Sequence, residues 1–183
     1  NTMKFIDQPD CQVLAVCDVD KKHLQTGIDA VNKRYNNTDC KGYHDFRELL
    51  ARKDIDAVML ALPDTWHALV ATEAARQGKD IWGEKPLART IVEQQAIVKA
   101  VQKHGRIWQT GSWQRSEKNF RVGAELAANG LLGKLQRVEV GLPAGHNDFA
   151  GTKDKMQVTP PPAELDYEMW IGPSQMEIGR ASC

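Results

Sequence analysis

The chain has 183 residues, with 24 acidic and 24 basic side chains and a formal net charge of zero at neutral pH, which is room for one full domain and part of another. No sustained basic stripe or interleaved aromatic platform is present, which argues against a nucleic-acid partner. No apolar run is long enough to span a bilayer.

Residues 12–18 (QVLAVCD) form an apolar run ending in aspartate, as expected of a strand buried on both faces. Asp20 is placed to cap a following helix in which Leu24, Ile28, Val31 and Tyr35 make one apolar stripe, ended by Asn36 and Asn37. Asp45 and Glu48 have capping-box spacing, with Phe46, Leu49 and Leu50 pointing inward, before the strand AVMLAL over 57–62. Pro63 stops that strand, and a helix from Asp64 or Thr65 runs to Gly78, a residue suited to a left-handed helix end. The next strand is DIWG over 80–83. Thr90 and Glu93 then form a second capping box for a helix carrying Ile91, Ile97, Val98 and Val101, closed by Gly105, and 107–110 is the strand after it.

Strands separated by single helices require parallel crossovers, so the fold class is α/β, a doubly wound parallel sheet. The pattern changes near Gly111. A helix over about 119–129 leads through Gly130 and Gly133 to 135–142, where Val138, Val140 and Leu142 alternate as in a half-buried, antiparallel strand. We therefore expect a dinucleotide-binding domain over 1–111 and the beginning of an α+β domain over 112–183. Residues 146–162 are polar and end in three prolines, which reads as an extended loop, and 165–173 return to aromatic, partly buried sequence.

Four cysteines, Cys11, Cys17, Cys40 and Cys183, lack CxxC or His/Cys ligand spacing, so no metal is expected. Cys11 and Cys17 stand at the two ends of the first predicted strand, as reduced core thiols. A dinucleotide-binding sheet opens with a strand, a GxGxxG turn and a helix, followed by a strand ending in an acidic residue. Asp18 supplies that acidic residue, but the glycine turn is found nowhere in the chain. The first strand and its turn are therefore expected upstream of Asn1.

Five separated segments, VCDVD at 16–20, ALPDTWH at 61–67, GKDIWGEKP at 78–86, QTGSWQRS at 109–116 and LDYEMWIGP at 165–173, resemble the Gfo/Idh/MocA oxidoreductases, and most closely their bacterial branch. The resemblance covers nearly everything from Gln12 to Pro173. It implies a Rossmann domain binding NAD, with NADP possible, and an α+β domain binding a sugar, inositol or related polyol, with hydride passing between a ring carbon and the nicotinamide. A homo-oligomer is expected when full length. The location is expected to be cytoplasmic, or periplasmic if an upstream segment carries an export signal.

The resemblance gives Asp18 the ribose hydroxyls, and an acidic group there favours NAD, although Lys21 and Lys22 leave room for NADP. The bland alternative is a strand-end aspartate capping the next turn. Leu62 and Pro63 would line the cofactor cleft, and His67 would approach the nicotinamide, unless it is a packing histidine. Lys85, framed by Glu84 and Pro86, would donate to the reacting hydroxyl and the cofactor ribose, stabilising the alkoxide, with Glu84 orienting the site. The competing reading is an ion pair that only ties a strand end to a helix. Trp113, Gln114 and Arg115 could face substrate. His146 and Asp148 are noticeable as an acid/base pair, but a solvated loop is the preferred reading.

The resemblance also places the family's catalytic aspartate and histidine beyond the equivalent of Pro173, outside this chain. Residues 174–183 depart from the pattern, as in a truncated gene or a frame change. The chain by itself is expected not to turn over. Its two functional readings are most of the cofactor domain of a sugar or polyol oxidoreductase, with a redox-assisted glycosidase as a variant, and a non-catalytic sugar- or partner-binding module on the same scaffold.

Overall fold

The computed structural model describes residues 5–141 and 160–174. They form two units, one drawn from 1–111 and 160–183, the other from 112–159. In the first unit β1 (Ala15–Cys17), α1 (Lys21–Tyr35), β2 (Lys41–Tyr43), α2 (Phe46–Leu50), β3 (Ala57–Leu60), α3 (Asp64–Arg76), β4 (Asp80–Gly83), α4 (Ile91–Lys103) and β5 (Trp108–Thr110) alternate along the chain. Every ladder is parallel. β1 pairs with β2, Ala15 opposite Lys41, and β4 lies between β3 and β5, with Leu60 opposite Gly83 and Gly83 opposite Thr110.

The two ladders, β2-β1 and β3-β4-β5, are the two flanks of the doubly wound order 3-2-1-4-5-6. Among the described residues no strand fills the place between β1 and β3. Phe5 packs edge-on against Trp82 of β4 with ring centroids 5.4 Å apart, while Ile6 is buried with Val31 and Cys40.

Each helix is started by the residue whose chemistry suits it. Asp20 accepts from the amides of Lys22 and His23 at 2.7 and 3.0 Å, and Asn36 takes the left-handed conformation that ends α1. Thr90 and Glu93 form the full capping box of α4. At α2 the expected box is replaced by a simpler cap, with Asp45 accepting from Arg47 N at 2.9 Å. The alanines of α3, Ala71, Ala74 and Ala75, are fully buried, and with Leu60, Ile81 and Ile97 they make the larger core. Small side chains let α3 approach the sheet closely, and burying Ile97 contributes about 1.5–3 kcal/mol. The preceding loops are tied by Lys79, which is buried and donates from Nζ to the carbonyls of Arg52 and Ile55.

Several expectations are corrected. The strand expected over 12–18 is three residues long and half-buried, because its partner β2 offers only three positions to pair with. β2 itself has no apolar run to announce it. It packs through Gly42, where an added Cβ would lie 2.5 Å from Ile28 Cδ1. On α4, Ile97 is buried but Ile91 and Val98 are exposed, since they fall on the outer side of the helix.

In the second unit a 3-10 turn, Trp113–Ser116, precedes α5, Lys118–Ala128. The expected strand over 135–142 does not form in the part described. Residues 135–141 have no regular structure, and Val138 and Val140 are exposed. An alternating pattern makes a strand only where a second strand supplies hydrogen bonds and an apolar face. The loop holding His146 and Asp148 lies outside the described residues. After it, residues 160–174 return to the first unit and carry α6, Tyr167–Ile171.

Candidate functional site

The β4 strand ends in the segment the sequence singles out. Glu84 N donates to Leu60 O at 2.9 Å, carrying the ladder one residue past β4, and Glu84 Oε2 accepts from Lys85 N at 3.2 Å. Gly111, just past β5, donates to Gly83 O at 2.7 Å. A Cβ at Gly111 would come within 2.8 Å of both Glu84 Oε2 and the Trp82 ring, so a side chain there would displace the carboxylate. The Lys85–Pro86 peptide is cis. Lys85 is exposed and Ala88, three residues on, is buried, with its carbonyl accepting from Gln94 Nε2 at 3.2 Å. The loop is therefore anchored behind Lys85, at the carboxyl edge of the sheet.

Just past the end of neighbouring β3 come Leu62 and Pro63. Leu62 packs against the core, and Pro63 is exposed at the start of α3. His67 lies one turn into α3. Only 1 % of it is exposed, and its Nε2 lies 3.0 Å from Leu62 O. The ring faces inward, against the strand-to-helix turn. Burial and a nearby backbone carbonyl decided its orientation.

Asp18 follows β1 directly. Its amide donates to Tyr43 O at 3.1 Å, and its Oδ1 accepts from Asp20 N at 2.8 Å. The turn-capping bond is thus present, and it aims the carboxylate at the carboxyl end of β1. Trp113, Gln114 and Arg115 belong to the second unit and are exposed there on the 3-10 turn. Among the described residues no group of His, Cys, Asp or Glu is arranged to hold a metal, and no helix is long and apolar enough to cross a membrane. Cys11, Cys17 and Cys40 are free thiols, Cys40 buried and the other two partly so.

Sequence reasoning missed what segment 160–174 does. Leu165 forms an antiparallel bridge with Asp20, Lys21 N donates to Glu164 O at 3.1 Å, and Asp166 N donates to Val19 O at 3.0 Å. His44 Nε2 lies 2.8 Å from Asp166 Oδ2, and Lys22 Nζ pairs with Glu164. This strap runs beside the turn that carries Asp18. The signal for it was the aromatic stretch 165–173, with Tyr167 and Trp170, whose partners lie more than a hundred residues away in sequence and so leave no local pattern.

Parallel strands ending in Asp18, Leu62 and the Glu84–Lys85 pair, with single helices between them, define an open doubly wound domain of the dinucleotide-binding class. The chain belongs to the Gfo/Idh/MocA family: the family's sequence model, an oxidoreductase family with an NAD-binding Rossmann fold, matches residues 2–112. Inositol 2-dehydrogenase of Salmonella typhimurium is 32% identical over 124 residues, which is 67% of this chain and 35% of that protein. A glycosyl hydrolase family 109 protein of Shewanella is 38% identical over 85 residues, 45% of this chain and 19% of that protein. Among solved structures, myo-inositol 2-dehydrogenase of Lactobacillus plantarum matches with a TM-score of 0.63 at 20% identity, over 73% of this chain and 38% of that one. Scyllo-inositol dehydrogenase of Lactobacillus casei, determined with NAD(H) and scyllo-inositol, matches with a TM-score of 0.62 at 21% identity, over 72% of this chain and 38% of that one. The two structures speak to the fold. This chain spans about a third of the length of the inositol dehydrogenase relatives it matches.

Proposed function

We propose that the whole protein is an NAD-dependent oxidoreductase acting on a cyclic polyol or sugar, with Lys85 as the residue that stabilises charge on the reacting oxygen. The observation that carries this reading is the placement of Lys85, exposed at the carboxyl end of β4 on an anchored loop beside Glu84. Carboxyl ends of parallel strands are where open α/β sheets hold ligands.

The donor set fits a dinucleotide at two points. The Asp18 carboxylate, an acceptor fixed at the end of β1, suits a ribose diol, and the Lys85 ammonium suits an oxygen that becomes negative. Bound NAD supplies the hydride acceptor. For a substrate carbinol to be oxidised, its hydroxyl proton must pass to a base as its carbon-bound hydrogen leaves as hydride, so the oxygen takes on alkoxide character, and an ammonium donor at Lys85 would stabilise that charge more than it stabilises the neutral alcohol. Glu84, next to Lys85 and kept in place by the absence of a side chain at Gly111, offsets the lysine charge. Leu62 and Pro63 form an apolar edge at the end of β3. Inositol dehydrogenases among the relatives favour a polyol as the substrate class.

The test is an assay of full-length protein with NAD or NADP against inositols and hexoses. Formation of reduced cofactor together with the matching ketone is expected. Failure to bind either dinucleotide would overturn the reading in favour of a non-catalytic module. The glycosyl hydrolase relative supports a second reading, a redox-assisted glycosidase. Its mark would be cleavage of a glycoside with no net consumption of NAD.

A further inference from the structure

Where β1 meets α1, the groups able to hold an extra phosphate are already engaged by the chain's own carboxylates. The amides of Lys22 and His23, which point out of the helix start, both donate to Asp20 Oδ1, at 2.7 and 3.0 Å. The nearest lysine whose partner is described, Lys22, pairs through Nζ with Glu164. Glu164 is not on a free loop: its own carbonyl accepts from Lys21 N at 3.1 Å, and the next two residues are held by the bridge to Asp20 and the bond to Val19 O. The strap thus fixes a third carboxylate beside Asp18 and Asp20.

A 2′-phosphate on the adenosine ribose needs donors and positive charge. Here a helix start and a lysine, the natural supply of both, are turned onto carboxylates. Lys21 and His23 are the remaining basic side chains of this turn, and both are exposed. We propose that Glu164 is a specificity-determining residue, which holds Lys22 away from a 2′-phosphate and so fixes the preference of the protein for NAD over NADP. The inference rests on the reading of Asp18 as the ribose contact. The pairing is also consistent with charge: Lys22 is drawn up by its bond to Glu164, and Glu164 is drawn down by the same bond.

The test is calorimetric titration of NADH and NADPH into the full-length protein, with Glu164→Gln, Lys22→Ala and the double variant. The quantity read is the ratio of the NADPH to the NADH dissociation constant. An exposed pair sets a modest scale, so Glu164→Gln should lower the ratio about three- to tenfold. Lys22→Ala alone should leave the ratio where it is, and Glu164→Gln should have less effect when Lys22 is alanine. A ratio unmoved by Glu164→Gln would overturn the proposal. So would a loss of NADPH affinity on Lys22→Ala, because Lys22 would then already reach the phosphate. Binding of neither dinucleotide by the unaltered protein would instead overturn the cofactor reading itself.

Discussion

The indole N–H of Trp66, in the first turn of α3, donates to the carbonyl of Met169 at 2.9 Å and lies 3.3 Å from that of Trp170. The same ring covers Gly172, where an added Cβ would stand 2.3 Å from the Trp66 Cε2 atom and where φ is +59°. A tryptophan of the ALPDTWH segment and a glycine of the LDYEMWIGP segment are therefore halves of one clamp. It fastens the strap that brings Glu164 beside Lys22. A structural contact thereby reaches the turn after β1.

Trp66→Phe tests the clamp. Phenylalanine keeps an aromatic ring against Phe46, which Trp66 meets edge-on at 5.6 Å, but it removes the N–H donor. The expected cost is about 1 kcal/mol. Amide hydrogen exchange at Trp170 and Gly172 should accelerate, since these amides close the short helix α6 on Asp166 O and Glu168 O. Exchange unchanged at these two positions would mean that the remaining bonds of the strap hold it without the indole.

Cys17 gives a prediction in pH. Burial pushes its thiol up from 9.0 to about 12, assisted by the carboxylates of Asp18, Asp45 and Glu48. The folded value exceeds the unfolded one, so the thiol's contribution to stability is complete below the unfolded value and is lost as pH rises from 9.0 towards about 12. Cys17→Ala should flatten the fall in melting temperature across that window. Native protein near neutrality should also resist alkylation at Cys17, while unfolded protein should react, as read by peptide mass spectrometry. Equal alkylation of the two forms would show the thiol to be open to solvent.

The fold was legible wherever an element announced itself by periodicity. β3, β4, α1 and α4 follow from apolar runs, caps and Gly78, because local chemistry sets those boundaries. β2 was not legible, since Lys41, Gly42 and Tyr43 become a strand only by pairing with β1. For the candidate site, the positions of Asp18, Glu84 and Lys85 just past strand ends were legible. The site was not legible where orientation depends on what packs behind. His67 has the right residue type one turn into a helix, but the carbonyl of Leu62 captures its ring. Glu164 and His44 escaped notice because their partners, Lys22 and Asp166, are 142 and 122 positions away.

Lys85→Ala, made in the full-length protein, should lower kcat/KM about 100- to 10,000-fold, because the ammonium acts mainly on charge that develops in the transition state. The melting temperature should not move, as the side chain is exposed. Lys85→Arg should recover little, since a planar fork does not occupy the place of a compact ammonium. Turnover near that of the unaltered enzyme in Lys85→Ala would end the assignment and leave the Glu84–Lys85 segment as a tie at the strand end.

Asp18 separates two roles that a single alanine would confuse. Its Oδ1 holds the turn through Asp20 N at 2.8 Å, and the proposed cofactor role requires its negative charge as well. Asp18→Ala removes both and should weaken NAD binding about tenfold or more. Asp18→Asn retains a carbonyl oxygen to accept from Asp20 N and removes only the charge. If the carboxylate reads the ribose and repels a 2′-phosphate, Asp18→Asn should narrow the preference for NADH over NADPH while its melting temperature stays near that of the unaltered protein. If Asp18 only caps the turn, Asp18→Asn should bind both dinucleotides as the unaltered protein does, and some other residue must choose between them. The two substitutions, read together by titration and by melting, therefore distinguish a structural bond from a recognition charge on the same side chain.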